Sequence, residues 1–173
     1  MFSSLLLVAS GYRADRPGQL LYEQYFAVLT PTDLALASGP ATRTLGVAPA
    51  ADTEEANRLA ALEEGKYQYF GGNYRMALAS LNYHLEGEYP EADDEAYWLA
   101  ATAAMAVGEY ATARELLGEA DPEAATTIWY SALLDLKGEA IGSATTALQS
   151  LSPGTSDRAP YPVDELLEAV GER

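Results

Sequence analysis

The sequence contains no cysteine and a single histidine, His84. Without thiols there is no disulfide framework, no cysteine nucleophile and no cysteine-based metal site. No second His or Cys stands at metal-ligand spacing from His84, so zinc and haem sites lack ligands, and the ring reads as a surface or packing group. Cations are also scarce: 10 Lys and Arg stand against 26 Asp and Glu, for a formal net charge of −16 at pH 7. Such a surface repels phosphate backbones and anionic headgroups, which argues against a nucleic-acid partner. The acidity has two open readings, adaptation to high salt or ordinary helix-end chemistry with a solvated outer face. Long hydrophobic runs are missing too. The most apolar stretch, residues 2–9 (FSSLLLVA), falls far short of the roughly 20 residues that cross a bilayer. It has no basic n-region and no lipidation cysteine. It is either the end of a truncated transmembrane or signal segment, or a short helix that packs on the rest of the chain.

The motifs of chemistry are equally sparse. Gly71-Gly72-Asn73 is not followed by Lys-Ser/Thr, so it is no phosphate loop. Glu91, Asp93, Asp94 and Glu95 lack the glycine and the ligand spacing of a calcium loop, and read as the acidic first turn of a helix. No nucleophile has a base at a recognisable spacing. The expectation is a protein with no catalytic residue, no cofactor, no metal and no small-molecule substrate.

What the chain does have is internal repetition. Gly72-Asn73-Tyr74-Arg75-Met76-Ala77 and Gly108-Glu109-Tyr110-Ala111-Thr112-Ala113 both read G-x-Y-x-x-A and start 36 residues apart. Gly138-Glu139-Ala140-Ile141-Gly142-Ser143 is a weaker third copy, 30 residues further on. Each copy lies between two apolar, helix-like runs. A repeat of this length predicts stacked helical hairpins. Glycine at Gly72 and Gly108 permits the left-handed turn out of one helix. Ala77 and Ala113 sit where the second helix crosses the first, and Leu81 and Leu117 extend the stripe. In this alignment Ser143, Ala147 and Leu151 repeat it.

The pattern predicts helices over 53–70, 74–86, about 90–107, 110–120, 123–136 and 139–151, with a short closing helix over 163–170. Ahead of them, 19–29 reads as an amphipathic helix. Thr30-Pro31-Thr32-Asp33 reads as a new start with Thr as N-cap and Pro in first place. Asp121-Pro122-Glu123 reads the same way. Residues 38–52 and 152–162 are rich in Gly, Pro or polar residues and read as loops. The organisation is therefore an N-terminal apolar segment, helix and linker (1–52), three repeats (53–151), and a loop with a capping helix (152–173).

These segments resemble tetratricopeptide repeats, helical hairpins of about 34 residues. In the first helix of each unit, Ala101 and Ser131 replace the family's small residue, while Glu64-Gly65 and Gln68 depart from the pattern. The resemblance covers about 53–151 and implies an all-α fold, an α-α superhelix (solenoid) of three such hairpins with N-terminal helices and a C-terminal capping helix. Together with Leu20-Leu21-Tyr22-Glu23-Gln24-Tyr25-Phe26, it is similar to small membrane-tethered bacterial proteins with these repeats. That similarity implies a place at a bacterial membrane or in the periplasm, with the cytoplasm left open.

The resemblance further implies a concave groove lined by the first helix of each hairpin, which holds a protein or peptide partner. Counted from the turn glycines, its slots hold Leu62, Lys66, Tyr69 and Phe70 in the first unit. In the second they hold Trp98, Thr102 and Met105, and in the third Ile128, Ala132 and Asp135. Lys66, Tyr69, Trp98, Thr102, Met105 and Asp135 are the candidate partner-binding residues, with Lys66 and Asp135 as opposite charges flanking the apolar contacts. Trp98, Trp129 and Tyr130 can equally be core. Groups that clamp a terminal carboxylate need Lys and Asn here, and only Lys66 qualifies. The function expected is a non-catalytic protein-interaction module. The alternative is a structural subunit packed permanently into a larger, membrane-associated assembly. An apolar face at 5–8 or 20–28 outside the groove favours the subunit, and a polar-rimmed groove at Trp98 favours the module.

Overall fold

The computed structural model describes residues 16–37, 53–86, 94–151 and 161–171. Among them every regular element is an α-helix: α1 (Pro17–Tyr25), α2 (Pro31–Ala37), α3 (Thr53–Phe70), α4 (Tyr74–Leu85), α5 (Asp94–Val107), α6 (Tyr110–Glu119), α7 (Ala125–Lys137), α8 (Ile141–Ser150) and α9 (Val163–Gly171). The expected all-α class is observed. No helix among the described residues is long and apolar enough to cross a membrane. The expectations for residues 2–9, for the linker 38–52, for the acidic start at 90–93 and for most of the loop 152–162 lie outside the described residues.

From α3 to α8 each helix packs on the next, and α3, α5 and α7 also touch one another in turn. Three turns of one design produce this path. Gly72 donates to the Tyr69 carbonyl and Asn73 to that of Gln68; Gly108 and Glu109 donate likewise to Met105 and Ala104. These paired bonds close a helix end through one left-handed residue, and Gly72 and Gly108 carry φ of 79° and 85°. The third turn differs from expectation. Its left-handed residue is Glu139, at φ 60°, and not Gly138. Glu139 and Ala140 make the matching bonds to Leu136 and Asp135.

The third repeat is therefore displaced by one residue from the sequence alignment. Ala144 and Leu148 take the buried places of Ala77 and Leu81 and of Ala113 and Leu117. Ser143 is exposed and donates to Asp135. In α7 the fully buried small residue is Ala132, while Ser131 is half-buried. Gly65, which departed from the expected pattern, is the close crossing of the first pair. A Cβ there would lie 2.7 Å from Leu81 Cγ.

The centre is α5, buried along Ala96 and from Trp98 through Met105. Five alanines among those residues let α4, α6, α3 and α7 approach it together. Its polar Thr102 hydroxyl folds back onto the Trp98 carbonyl at 2.8 Å.

Two helix starts depart from or refine the sequence reading. Thr30 caps α2 as expected, and reciprocally: its amide donates to Asp33 Oδ2 at 2.8 Å and the Asp33 amide to Thr30 Oγ1 at 3.3 Å. Asp121 does not start α7. Its carboxylate takes the Glu123 amide in a turn, and the helix opens at Ala125. At the C-terminal end α9 buries Val163 and Leu166 against α8 and also touches α1.

Candidate functional site

The N-terminal segment 16–34 lies on the bodies of the later helices, with α1 packed on α7. The expected helix over 19–29 stops at Tyr25, and Phe26 is extended at φ −70°, ψ 121°. The physical reason is visible in the backbone partners. The Tyr130 hydroxyl on α7 donates to the Ala27 carbonyl at 2.8 Å, and the Leu29 amide donates to the Tyr69 hydroxyl on α3 at 2.8 Å. A continued helix would use both main-chain groups internally. Two tyrosines from different helices thus hold the chain after α1 by its peptide groups.

The Tyr69 contact continues inward. Its hydroxyl stands 2.8 Å from Thr102 Oγ1, whose own proton goes to the Trp98 carbonyl. The direction is therefore Leu29 amide to Tyr69 to Thr102 to Trp98, a buried relay in which each bond polarises the next. Burial pushes the Tyr69 hydroxyl well above the ordinary tyrosine range and outweighs the lowering influence of the Leu29 amide. Burial does the same to Tyr130. Both rings stay neutral and keep their donor protons at any ordinary pH.

The start of α1 is secured from the far end of the chain. Arg16 provides no side-chain cap. Instead the Glu139 carboxylate accepts from the Gly18 amide at 3.2 Å and from the Gln19 amide at 3.0 Å. A carboxylate on two free amides at a helix N-terminus answers both their lone donors and the helix dipole. Gly18 is required here, because a Cβ would fall 2.3 Å from the Leu136 carbonyl oxygen. Beside it, Lys137 Nζ sits 5.1 Å from the Tyr22 ring centre and 5.2 Å from that of Tyr110. Tyr22 also stacks on Phe26, and Phe26 meets Tyr130 edge-on. Leu21, Tyr22, Leu29 and Leu34 of the segment are buried.

The six residues expected to meet a partner divide into groups. Tyr69, Thr102 and Trp98 come together in the relay just described, and Trp98 Nε1 further donates to Thr127 Oγ1 on α7 at 2.9 Å. These three and Met105 are all buried, so none presents a free surface with the segment in place. Lys66 is joined to Glu95 on α5 at 2.8 Å. Asp135 stands apart: it pairs with Arg114 on α6 at 2.9 Å and accepts from Ser143 on α8. It ties α7 to α6 and α8, and in the displaced register it takes the place of Gln68 and Ala104, not that of Tyr69 and Met105. Three residues that sequence reasoning did not select, Tyr130, Lys137 and Glu139, join Tyr69 in the contacts to the segment. The phase of Ile141, Ala144 and Leu148, spaced as Tyr110, Ala113 and Leu117, carried the signal for that register.

Among the described residues there is no group of His, Asp and Glu able to hold a metal ion. His84 has a packing contact, Nδ1 lying 3.0 Å from the Arg58 carbonyl of the neighbouring helix. No family model, no curated protein and no solved structure matches this chain.

Proposed function

We propose that the chain is a non-catalytic protein-interaction module of tetratricopeptide type. In this reading α3–α4, α5–α6 and α7–α8 are three hairpins of an α-α superhelix capped by α9, and α3, α5 and α7 line a groove that holds a peptide segment. The observation that carries it is the capture of residues 26–30 by main-chain contacts to Tyr69 and Tyr130. Contacts to peptide groups hold any extended segment, and neighbouring apolar pockets then choose among side chains. A bacterial membrane tether ahead of Arg16 belongs to the same proposal and is checked by fractionating the native source.

The test uses a groove opened from the segment side. In the Leu21→Asp variant a carboxylate replaces a buried leucine of α1, which should dislodge the segment; circular dichroism checks that the remaining helices stay folded. Selection of random displayed peptides on this variant should enrich sequences with aromatic and aliphatic residues leading into an extended stretch. Tyr130→Phe in the same background should weaken their capture. If a folded, opened variant enriches nothing, the groove reading fails.

A second reading, a permanent subunit, is favoured by the first helix pair. Leu59, Tyr67, Phe70, Met76 and Tyr83 are exposed there, and among the described residues Leu20 is the one exposed large apolar side chain elsewhere. Concentrated apolar exposure of this kind marks an interaction face. Sedimentation of native extracts decides it: migration as a free chain in both soluble and membrane fractions removes this reading.

A further inference from the structure

The segment that fills the site belongs to the chain itself, and we propose that residues 16–34 are an intramolecular ligand that closes the groove until a competing segment of like chemistry displaces them. This rests on the groove reading above. Three features of its attachment bear on this. First, α3 to α8 pack on one another, each on the next and α3, α5 and α7 in turn, through contacts that do not include the segment; α1 is added on α7 and α9, and the residues after it reach Tyr69 on α3. Second, α1 and α2 have nine and seven residues, below the length at which an isolated helix persists in water, so their structure depends on docking. Third, beside the buried Leu21, Tyr22, Leu29 and Leu34, the polar part of the attachment is made by groups suited to exchange. These are two hydroxyls on peptide groups, one exposed carboxylate on a helix start, and one ammonium between two rings.

The same contacts specify the competitor. It begins with a helical turn whose free amides meet Glu139, and carries no side chain at the position of Gly18, where the Leu136 carbonyl leaves no room. It places an apolar residue and an aromatic ring where Leu21 and Tyr22 stand, the ring on Lys137. It then continues extended between Tyr130 and Tyr69. Covalent connection keeps the resident segment at an effective concentration on the order of millimolar, so a weak free peptide does not enter the closed form.

The probe is a fluorescent synthetic peptide of residues 16–34, added to the full chain and to its Leu21→Asp variant. The expected result is capture by the variant at least ten-fold tighter than by the unaltered chain. Adding Glu139→Gln to the variant should weaken capture several-fold, because one of the two amides loses its acceptor and the other keeps only a neutral one. Equal capture by the unaltered chain and the variant overturns the closure, while leaving the groove reading intact. Absence of capture by a variant that circular dichroism shows to be helical and cooperatively folded overturns both. Should Leu21→Asp unfold the whole chain, amide hydrogen exchange on the unaltered protein decides. The Leu29 amide and those of α1 should exchange at least ten-fold faster than the amides of α5 and α7. Exchange at the same rate as α5 makes the segment inseparable core and ends the proposal.

Discussion

Glu139 Oε2 accepts from the Gly18 amide across 121 residues of chain, and it does so from a backbone conformation that a side chain resists. A residue with a Cβ at φ 60° costs on the order of 1 kcal/mol relative to glycine. The two equivalent turns use glycine. The strain at the third is offset by the cap that the carboxylate provides to α1, typically about 1 kcal/mol. Glu139→Ala keeps the strain and loses the cap, while Glu139→Gly loses both. Chemical denaturation should therefore place the Ala variant about 1 kcal/mol below the unaltered chain and the Gly variant near it. An Ala variant as stable as the Gly variant contradicts the left-handed assignment.

Gly18→Ala tests the tightest position among the described glycines. Helix propensity alone favours alanine by up to about 1 kcal/mol, but the added carbon would meet a backbone oxygen at 2.3 Å. The net effect expected in a thermal melt is destabilisation by about 1–3 kcal/mol. A gain in stability would show that α1 does not pack on α7 as described.

Trp98→Ala should unfold the domain more readily and not act as a binding mutation. The ring is 4% exposed and its Nε1–H is matched by the Thr127 hydroxyl. Truncation removes an aromatic volume from the core and costs about 3–5 kcal/mol. Denaturant titration followed by circular dichroism measures it, and a loss below 1 kcal/mol would remove Trp98 from the core.

Stability should fall in alkali, with a sign fixed by four tyrosines. Burial raises the hydroxyls of Tyr22, Tyr69 and Tyr130, and pushes that of Tyr161 up to about 12. The unfolded chain ionises these groups near the ordinary value of about 10, so their contribution is complete below that pH. It is lost as pH rises from there through the folded values, by up to about 1.4 kcal/mol per pH unit for each group. Unfolding in this window should coincide with the phenolate absorbance of the buried rings. Phenolate appearing in full near pH 10 without unfolding would place these rings in water.

The helical array was largely legible in the sequence, because glycine, aromatic, alanine and leucine recur at spacings that only helix pairs satisfy. The bounds Thr53–Phe70 were read as they stand, and most other ends fell within a few residues. The third turn was misread by one residue because Gly138 offered a glycine where the chain uses Glu139. That displacement also carried Asp135 into the expected groove in place of Leu136, and left out Lys137, which takes the slot of Phe70. Other parts of the site were invisible for a different reason. Periodicity shows that a helix face is apolar, but not which distant stretch of chain covers it. The non-helical course of 26–30 is held by Tyr69 and Tyr130, residues 40 and 103 positions from the groups they bind, and no local pattern records such a demand.

The separation between Gly18 and Glu139 also orders events during synthesis. The Leu20-Leu21-Tyr22 stretch leaves the ribosome more than a hundred residues before the carboxylate that will seat it. At ordinary elongation rates of about 5–20 residues per second, it waits roughly 6–24 seconds with its leucines in water. The first two helix pairs, packed largely between chain neighbours, close during that interval, while Ile141–Ser150 follows Glu139. Docking of the amino-terminal segment then comes after those pairs, and the nascent chain passes through a form in which the start of α1 is still uncapped.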